Sequence, residues 1–426
     1  MKKSLHILFA ALIALMFVPM IQEGFGFFRE RPLQGAFEPV LKPRLGINEW
    51  FSGSCQDSLS DYYNHNFGLR PWFVRINNQI DFSLFSKTNA AKIVIGKQGY
   101  LYEDNYLHAY EGSDFVGEQA IDSLISSAVR TRDLLKAHNT DLLIVLAPGK
   151  ATFFPEYIPH RYSNNIAAQT NYEMIAAKCN EAGLLHIDLN KWFVEMKDTA
   201  SFPLYPKCGI HWSYYGMYLS ADTIVKTIEK IRATDIPDMV LESIEMSDEQ
   251  RGTDYDIGHT LNLLFPIKTY PMAYPTIAYK GLEKPKPDVL VIGDSYYWNM
   301  YYSGIPSVLF KKLDFYYYNS SIYNDGTNVS AGSTDNIDYI NSILQRDVVI
   351  LLQTDGGLNY FGFGFFDKIN NELSEQYLDE RIEYFKQLIL SDPKWTAQVQ
   401  EKASARGISF EEMLLIDAKY MCRQKN

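Results

Sequence analysis

The sequence has few of the features that mark a metalloprotein or a disulfide scaffold. Its 426 residues include four cysteines, and no two of them form a C-x-x-C pair (Cys55, Cys179, Cys208 and Cys422). Structural zinc sites need ligands in close pairs, so this spacing gives no sign of a metal site. One disulfide could form in an oxidising compartment, but buried free thiols are the favoured expectation.

Positive charge is also scarce. The chain has 40 lysine and arginine residues against 51 aspartate and glutamate residues, a formal net charge of −11. Nucleic-acid-binding domains and polybasic membrane-surface proteins need clustered positive charge to hold phosphate groups, so both classes are disfavoured. The chain has no low-complexity tract and no long run of charges, and it is long enough for one large domain with appendages or for two domains.

Aromatic residues, by contrast, are abundant. They make up 14% of the chain, with 30 tyrosines and 25 phenylalanines. Tyrosines suit carbohydrate-binding clefts, because their rings stack on sugar faces and their hydroxyls bond to sugar hydroxyls. An amphipathic surface of a β-rich region would use the same residues, and the composition does not separate these two interpretations.

A long apolar run lies at the N-terminus. Met1-Lys2-Lys3 precedes an apolar stretch over residues 7–21, an order typical of an export signal or a signal anchor. The stretch is shorter than the ~20 residues of a typical span, although nearby phenylalanines could extend it. No Ala-x-Ala cleavage site follows. We therefore expect an uncleaved anchor over residues 1–28, with a cleaved signal peptide as the alternative, and the rest of the chain outside the cytoplasm.

Beyond this segment the apolar pattern predicts an α/β fold. Strands that alternate with helices imply a parallel sheet with right-handed crossovers. A lead-in of helices and one hairpin (29–100) precedes this region (101–365), and a helical tail (366–426) follows it. The predicted elements are strands at 141–147, 184–189, 289–292 and 347–352, and helices at 118–138, 171–182, 214–231 and 402–420.

A serine-containing turn follows one of the predicted strands. Four apolar residues (289–292) lead into Gly293-Asp294-Ser295 and then into an aromatic segment that could begin a helix. A serine at such a turn lies at the carboxyl edge of a parallel sheet, where open α/β folds place their sites. Its hydroxyl can enter a crevice while nearby backbone N–H groups hold an oxyanion. The alternative is that Asp294 and Ser295 only cap a helix.

A histidine in a loop is the candidate partner of this serine. His211 lies just before the predicted helix that begins at residue 214. A free hydroxyl is a poor nucleophile at neutral pH, so Ser295 needs a base within hydrogen-bond reach. A lone histidine is more often structural than catalytic. The other histidines, however, lack a comparable loop before a helix.

Several short motifs together follow the pattern of a known family. H-W-S before a helix and G-D-S-Y after a later strand are joined by N-F-G-L-R with I-V-I-G-K-Q-G-Y-L-Y, by A-P-G-K with P-E-Y-I-P, and by D-V-V at the last core strand. This set resembles the SGNH-hydrolase-like domain of the alginate O-acetyltransferase family, of the AlgJ and AlgX type. In ordinary SGNH esterases the serine comes first in the chain and the histidine last. In this family the order is permuted, histidine before serine, and this chain has the permuted order. The resemblance covers about residues 45–365.

The chain departs from the family's D-x-H-W motif at an important position. Gly209 stands where the family has the aspartate that orients the imidazole. Such a carboxylate fixes the tautomer of the ring and stabilises the imidazolium. We expect a backbone carbonyl to take its place; the alternative is a carboxylate from elsewhere, with Asp294 and Asp188 as candidates. A second departure is Gln353-Thr354-Asp355, where the family usually carries a charged or aromatic site residue.

The resemblance implies a periplasmic or otherwise extracytoplasmic O-acetyltransferase, anchored in the inner membrane, that acts on hydroxyls of a cell-surface or secreted polysaccharide. Ser295 would carry the acetyl group as an ester, and His211 would act first as base and then as acid. The Ser295 N–H, with neighbours from another loop, would hold the oxyanion. A multi-pass membrane acyltransferase is the implied partner that supplies acetyl. No cofactor and no metal ion is expected.

Four residues around this pair are candidates for substrate binding: Lys150, Trp212, Tyr214 and Tyr296. The tyrosines after the serine and after the histidine could form a platform for a glycan, or they could be core. Two other function classes stay open. One is a carbohydrate acetyl esterase with water as the acceptor, and the other is a non-catalytic polysaccharide-binding protein in which Ser295 and His211 are out of hydrogen-bond geometry.

Overall fold

The N-terminal part of the chain is mainly helical in the computed structural model, which describes residues 2–35, 40–43, 46–163, 167, 169–373 and 375–424. Its helices are α1 (Lys2–Phe25), α2 (Ile47–Ser52), α3 (Ser54–Asn66) and α4 (Arg70–Phe85). Strands β1 (Ile93–Ile95) and β2 (Leu101–Glu103) then pair antiparallel. The predicted helical lead-in and hairpin are both present.

Helices and strands alternate through the middle of the chain. The first half of this region comprises α5 (Asp104–Glu111), α6 (Glu118–Ala137), β3 (Asp141–Ala147), α7 (Lys150–Phe153), α8 (His160–Ser163), α9 (Asn171–Glu181), β4 (His186–Asp188), α10 (Leu189–Met196), α11 (Tyr214–Arg232), β5 (Asp238–Ser247) and α12 (Asp256–Thr260). The predicted helices at 118–138, 171–182 and 214–231 correspond to α6, α9 and α11.

The second half of this region carries the serine turn. Its elements are β6 (Met272–Lys280), β7 (Val289–Gly293), α13 (Tyr297–Tyr302), α14 (Ile305–Leu309), β8 (Asp314–Tyr317), β9 (Ser321–Tyr323), β10 (Gly332–Ser333), α15 (Tyr339–Leu344), β11 (Val348–Thr354) and α16 (Phe365–Glu372). The tail consists of α17 (Glu375–Ser391), α18 (Pro393–Arg406) and α19 (Phe410–Gln424).

The central sheet has seven strands in the order β10-β9-β8-β7-β11-β3-β4. Neighbours from β8 to β4 run parallel, and the short strands β9 and β10 add an antiparallel edge. The central strands β3, β7 and β11 are buried almost throughout. The α/β prediction of a parallel sheet with flanking helices is therefore confirmed.

The strands send alternate side chains into two apolar layers. In β7, Val289 and Val291 belong to the layer that contains Trp212. Leu290 and Ile292 belong to the layer on the other face of the sheet. Because both faces are covered, residues of both parities are apolar, which is why this strand is an unbroken apolar run in the sequence. The carboxyl ends of β3, β7 and β11 meet at one edge of the sheet.

A long antiparallel ribbon lies outside the central sheet, and no strand is predicted there from the sequence. β5 and β6 pair along their whole length, with a bulge between Leu241 and Ser243. Residues of β5 are half-buried or exposed, so its sequence mixes charged and apolar residues and lacks the apolar run of a core strand. The connection between the two strands contains α12.

The helical tail is present, but the single helix predicted over 402–420 is wrong. That stretch is divided between α18 and α19, because Gly407 (φ 66°) ends α18 in the left-handed conformation. The last three helices enclose an apolar cluster of their own, with Ile389, Val399 and Met413 buried.

The N-terminal apolar run forms a helix, and three of the four cysteines are buried as expected. Of the helices in the described ranges, α1 alone is long and apolar enough to cross a membrane (Lys3–Phe25, mean hydropathy 2.3). All four cysteines are free thiols, and Cys55, Cys179 and Cys208 are buried.

Candidate active site

The serine turn is held by the aspartate within it. The buried Asp294 carboxylate accepts hydrogen bonds from the Tyr296 N–H (3.0 Å) and from the N–H and hydroxyl of Thr354 (both 2.8 Å). Thr354 ends the neighbouring strand β11, so these bonds tie the turn to the sheet. Ser295 is left half-buried at the carboxyl edge, between the end of β7 and the start of α13.

His211 lies between this serine and a carboxylate. Its Nε2 is 3.0 Å from the Ser295 Oγ, and its Nδ1 is 2.6 Å from the Asp256 Oδ2. A carboxylate accepts hydrogen bonds, so in the neutral ring Nδ1 carries the proton and Nε2 is free to accept the serine proton. Serine, histidine and aspartate are thus arranged in the line that activates a hydroxyl nucleophile.

The surroundings of His211 favour its protonated form. Burial alone would lower its pKa, but the charge of Asp256 and the hydrogen bond to it outweigh burial and raise the pKa above the ordinary value of 6.5. The carboxylates of Glu103 and Asp294 act in the same direction. A histidine in this setting can take up the serine proton and hold it as an imidazolium.

Asp256 begins α12 in the connection of the outer ribbon. Its Oδ2 contacts the ring of His211, and its Oδ1 accepts a hydrogen bond from the Ile210 N–H at 3.0 Å. One carboxylate therefore positions both the imidazole and the backbone that carries it. The side chain is 27% exposed, whereas that of His211 is 12% exposed.

Gly209 explains why the carboxylate comes from this distant segment. A Cβ at position 209 would lie 2.0 Å from the Thr253 carbonyl oxygen and 2.9 Å from the Asp254 carbonyl carbon. The backbone that leads to Asp256 thus fills the space that an aspartate side chain at 209 would need. The 253–256 segment can come this close to His211 because residue 209 is a glycine and has no side chain in its way.

The expected substitutes for the missing carboxylate are corrected by this geometry. Neither a backbone carbonyl nor Asp294 is the acceptor at Nδ1, since Asp294 binds Tyr296 and Thr354 on the other side of the turn. Asp188 accepts from the Tyr172 hydroxyl (2.9 Å) and from the Lys191 N–H (2.9 Å) as the cap of α10. Asp256 was not among the sequence-based candidates; the signal for it was an acidic pair (254 and 256) in a loop with no predicted element.

Two of the predicted substrate-binding residues, Lys150 and Tyr296, are fully buried beneath the histidine loop. The Lys150 Nζ donates hydrogen bonds to the carbonyls of Lys207 (2.8 Å) and Gly209 (2.5 Å), and desolvation lowers its pKa to about 7. The Tyr296 hydroxyl donates to the Ile210 carbonyl at 2.6 Å. Direct contact with a polysaccharide is therefore corrected to a structural role, since both residues fix the backbone that immediately precedes His211.

Trp212 is buried as well, and Tyr214 is half-buried. The Trp212 indole packs edge-on against the Tyr296 ring, with centroids 5.5 Å apart. Tyr297 and Tyr301 are 2% exposed, so the core interpretation holds for them, whereas Tyr302 is 51% exposed. Of the four predicted substrate-binding residues, Tyr214 alone keeps surface that a ligand could reach.

Glu103 is a second carboxylate near the histidine that sequence reasoning missed. It ends β2 and is half-buried; burial raises its pKa, and the nearby His211 opposes that rise. Its position after a short strand carries no motif, so only the fold places it near the site.

The chain shares its sequence pattern with known proteins. Residues 93–313, just over half of the chain, match the family model of the SGNH hydrolase-like domain of the acetyltransferase AlgX. A probable alginate O-acetylase AlgJ from Pseudomonas putida is 20% identical over 179 residues, which are 42% of this chain and 44% of that protein. The AlgJ of Pseudomonas syringae pv. tomato is 22% identical over 173 residues, 41% of this chain and 42% of that protein. The matches thus span less than half of these relatives.

Solved structures that align with this chain have low sequence identity to it. The O-acetyltransferase domain of Pseudomonas putida AlgJ is 15% identical, with 66% of this chain and 99% of that domain covered and a TM-score of 0.41. Pseudomonas aeruginosa AlgX is 13% identical, with coverage of 63% and 66% and a TM-score of 0.39.

Proposed function

Because this chain belongs to the AlgX family of SGNH hydrolase-like acetyltransferase domains, we propose that it transfers acetyl groups to hydroxyls of an alginate-like polysaccharide outside the cytoplasm. The observation that carries this proposal is the line from the Ser295 Oγ through His211 to Asp256, with contacts of 3.0 and 2.6 Å. The two relatives named above are probable alginate O-acetylases, which supports the acetyl group and the class of acceptor.

The reaction divides into two half-reactions at Ser295. In the first, Nε2 of His211 takes the hydroxyl proton while Oγ attacks the carbonyl carbon of an acetyl donor. The tetrahedral intermediate collapses, the leaving group departs with the proton from His211, and the serine keeps the acetyl group as an ester. In the second, His211 takes a proton from a sugar hydroxyl, whose oxygen attacks the ester, and the proton returns to Ser295.

The charges that develop in these steps have partners in the fold. Asp256 stabilises the imidazolium and keeps the ring in the productive tautomer. The oxyanion would be held by the Ser295 N–H, which makes no hydrogen bond to another described residue. The Ser295–His211 distance supports a working enzyme over a non-catalytic polysaccharide-binding protein, in which the pair would have separated.

The N-terminal segment is proposed to be an uncleaved anchor. The Gln22 side chain near the end of α1 is buried and donates a hydrogen bond to the Phe28 carbonyl at 2.8 Å. Gly68 of the lead-in lies against the same end of α1, since a Cβ there would be 2.3 Å from the Pro19 carbonyl oxygen, and cleavage in this region would remove that contact. The proposed division into anchor (1–28), lead-in (29–100), catalytic domain (101–365) and helical extension (366–426) follows. A multi-pass membrane acyltransferase is proposed as the acetyl supplier.

A soluble acetyl ester, supplied with and without an oligosaccharide acceptor, tests the activity. A transferase should release acetate slowly alone and form acetylated sugar when the acceptor is present, because a bound hydroxyl reaches effective molarities of about 10⁵ M or more. Fast acetate release that the acceptor neither slows nor diverts would identify an esterase. No reaction in either mixture, with Ser295→Ala as the blank, would favour a binding protein.

A further inference from the structure

Helix α4 carries an apolar face that the rest of the described chain leaves uncovered. Its members recur at helical spacing along one side, and their exposed fractions run from 43% to 71%: Trp72, Phe73, Ile76, Ile80 and Leu84. None of the charged residues of the helix belongs to this set: Arg75 is buried, and Arg70 and Asp81 are half-buried. A contiguous apolar strip of this kind is unusual on the free surface of a soluble protein.

The opposite side of α4 is fixed to the folded protein. The Arg75 guanidinium donates to the Arg31 carbonyl (3.0 Å) and to the Pro32 carbonyl (2.8 Å). The Asn78 amide donates to the Leu261 carbonyl at 2.8 Å. These bonds fix the orientation of α4 about its own axis. They therefore keep its apolar face directed away from the rest of the protein.

The beginning of this face lies beside the end of α1. A Cβ on Gly68, just before α4, would lie 2.3 Å from the Pro19 carbonyl oxygen and 2.7 Å from the Glu23 nitrogen. The Phe67 ring is 6.2 Å from the Phe73 ring, and both are exposed. The apolar face therefore starts where the apolar helix α1 ends.

We propose that the α4 face, defined by Trp72, Phe73, Ile76, Ile80 and Leu84, lies in the interfacial layer of the membrane that α1 spans. The inference rests on the proposed anchor and is independent of the acetyl-transfer chemistry. An amphipathic helix at an interface buries its apolar side about 5–10 Å into the boundary of headgroups and chains. Tryptophan is enriched at this depth, and Trp72 stands at the end of the face next to α1.

Lipid fits this face better than a protein partner does. The strip has no charged residue that would set a register with a protein, and it continues directly from the proposed membrane helix. It also has no basic residue, so contact should need neither anionic lipid nor low salt.

The same helix connects the membrane to the candidate active site. Asn78 binds the carbonyl of Leu261, which follows the helix that Asp256 begins. Beside it, the Asn262 side chain exchanges two hydrogen bonds of 2.8 Å with the backbone of Gln34. A lipid-bound α4 would therefore hold the carboxylate segment, and with it the site, at a fixed height above the bilayer.

The test uses the full chain in vesicles of zwitterionic lipid, with bromine atoms near the headgroups or near the chain ends. Tryptophan fluorescence is compared between the parent and Trp72→Phe, so that the difference reports Trp72 alone; Trp395→Phe is the control on the helical tail. We expect Trp72 to be quenched strongly by the shallow bromine and weakly by the deep one, at low and high salt alike. An unquenched Trp72, or a chain that does not float with the vesicles, would contradict the proposal.

A second comparison separates lipid from a protein occupant. The Ile76→Ser, Ile80→Ser, Leu84→Ser variant should lose most of the lipid quenching of Trp72 and gain quenching by aqueous acrylamide. A matched variant with Leu185→Ser, Val194→Ser and Leu282→Ser removes exposed apolar side chains elsewhere and should change neither signal.

One outcome of these measurements would identify a protein occupant instead of lipid. Protection of Trp72 from acrylamide without lipid quenching would mean that another protein surface, such as a second copy, covers the face, and would overturn the lipid assignment.

Acetyl transfer to a soluble acceptor is measured on the same samples. Transfer without lipid contact contradicts the membrane face alone, and lipid contact without transfer contradicts the proposed function alone.

Discussion

The serine turn and the aspartate segment of this site are built in opposite ways. Ser295 is positioned mainly by its neighbours in sequence, a buried strand before it and a helix after it, and Asp294 also ties the turn to the adjacent sheet strand β11. Asp256 is positioned by parts of the chain far from His211 in sequence, through an outer ribbon and a glycine that lets the segment approach. The nucleophile is thus set locally, whereas the group that orients its base is set by tertiary packing.

This difference shows how a serine–histidine pair can keep its geometry while the supporting carboxylate changes its origin. A carboxylate is needed only within hydrogen-bond distance of Nδ1, and the chain can deliver one from any segment that reaches the ring. In this protein the delivery requires Gly209, because any side chain there would meet the Thr253 carbonyl.

The largest effect is expected from replacing the nucleophile, Ser295, or its base, His211. Ser295→Ala and His211→Ala should each lower the acetyl-transfer rate by about 10⁶-fold, and the double variant should be no slower, because the two residues act as a unit. Rates and labelling by a serine-directed reagent check this. A double variant much slower than both single ones, or labelling that persists in Ser295→Ala, would separate the two residues.

The next largest effect is expected from replacing Asp256, the carboxylate that orients the base. Asp256→Asn should lower the rate by about 10⁴-fold, since the amide favours the wrong tautomer of His211. Asp188→Asn is the matched control, because that carboxylate caps α10 and binds Tyr172 without touching His211. Equal losses in the two variants would mean that Asp256 acts on stability and not through the ring.

The glycine that admits the aspartate segment should show a smaller effect on stability. Gly209→Ala puts a Cβ 2.0 Å from the Thr253 carbonyl oxygen, and such overpacking costs about 1–3 kcal/mol. Both the melting temperature and the rate should fall, because Asp256 moves with the segment. Gly357→Ala, whose Cβ would meet its nearest neighbour at 3.5 Å, is the control, and similar losses in both would refute the coupling.

The smallest expected effect is on the pH profile. The raised pKa of His211 means that activity, which needs the neutral base, is lost as pH falls through a value above 6.5. Asp256→Asn should move this limb to lower pH, since the charge that raises the pKa is gone. The sign for stability is the reverse: the pair stabilises the fold at low pH, and this contribution is lost as pH rises through the folded-state pKa. If activity were lost at the same pH in Asp256→Asn as in the parent, the titrating group would be a residue other than His211.

The sequence predicts one end of the site far better than the other. The parallel sheet and the positions of Ser295 and His211 follow from buried apolar runs, a turn and a loop before a helix, all of which are local signals. Asp256 has no such signal, because the ribbon that carries it is half-exposed and lacks an apolar run. The burial of Lys150 and Tyr296 is equally unpredictable from the sequence. Their polar ends suit a ligand, but in the structure they donate hydrogen bonds to backbone carbonyls.

A double-mutant cycle on the reactivity of Ser295 tests most directly whether Asp256 acts through His211. The rate of modification of Ser295 by a serine-directed reagent is measured by mass spectrometry in the parent, Asp256→Asn, His211→Ala and the double variant. If Asp256 works by orienting the ring, its replacement should slow labelling greatly in the parent and hardly at all once His211 is gone. An equal loss in both backgrounds would contradict the proposed serine–histidine–aspartate unit.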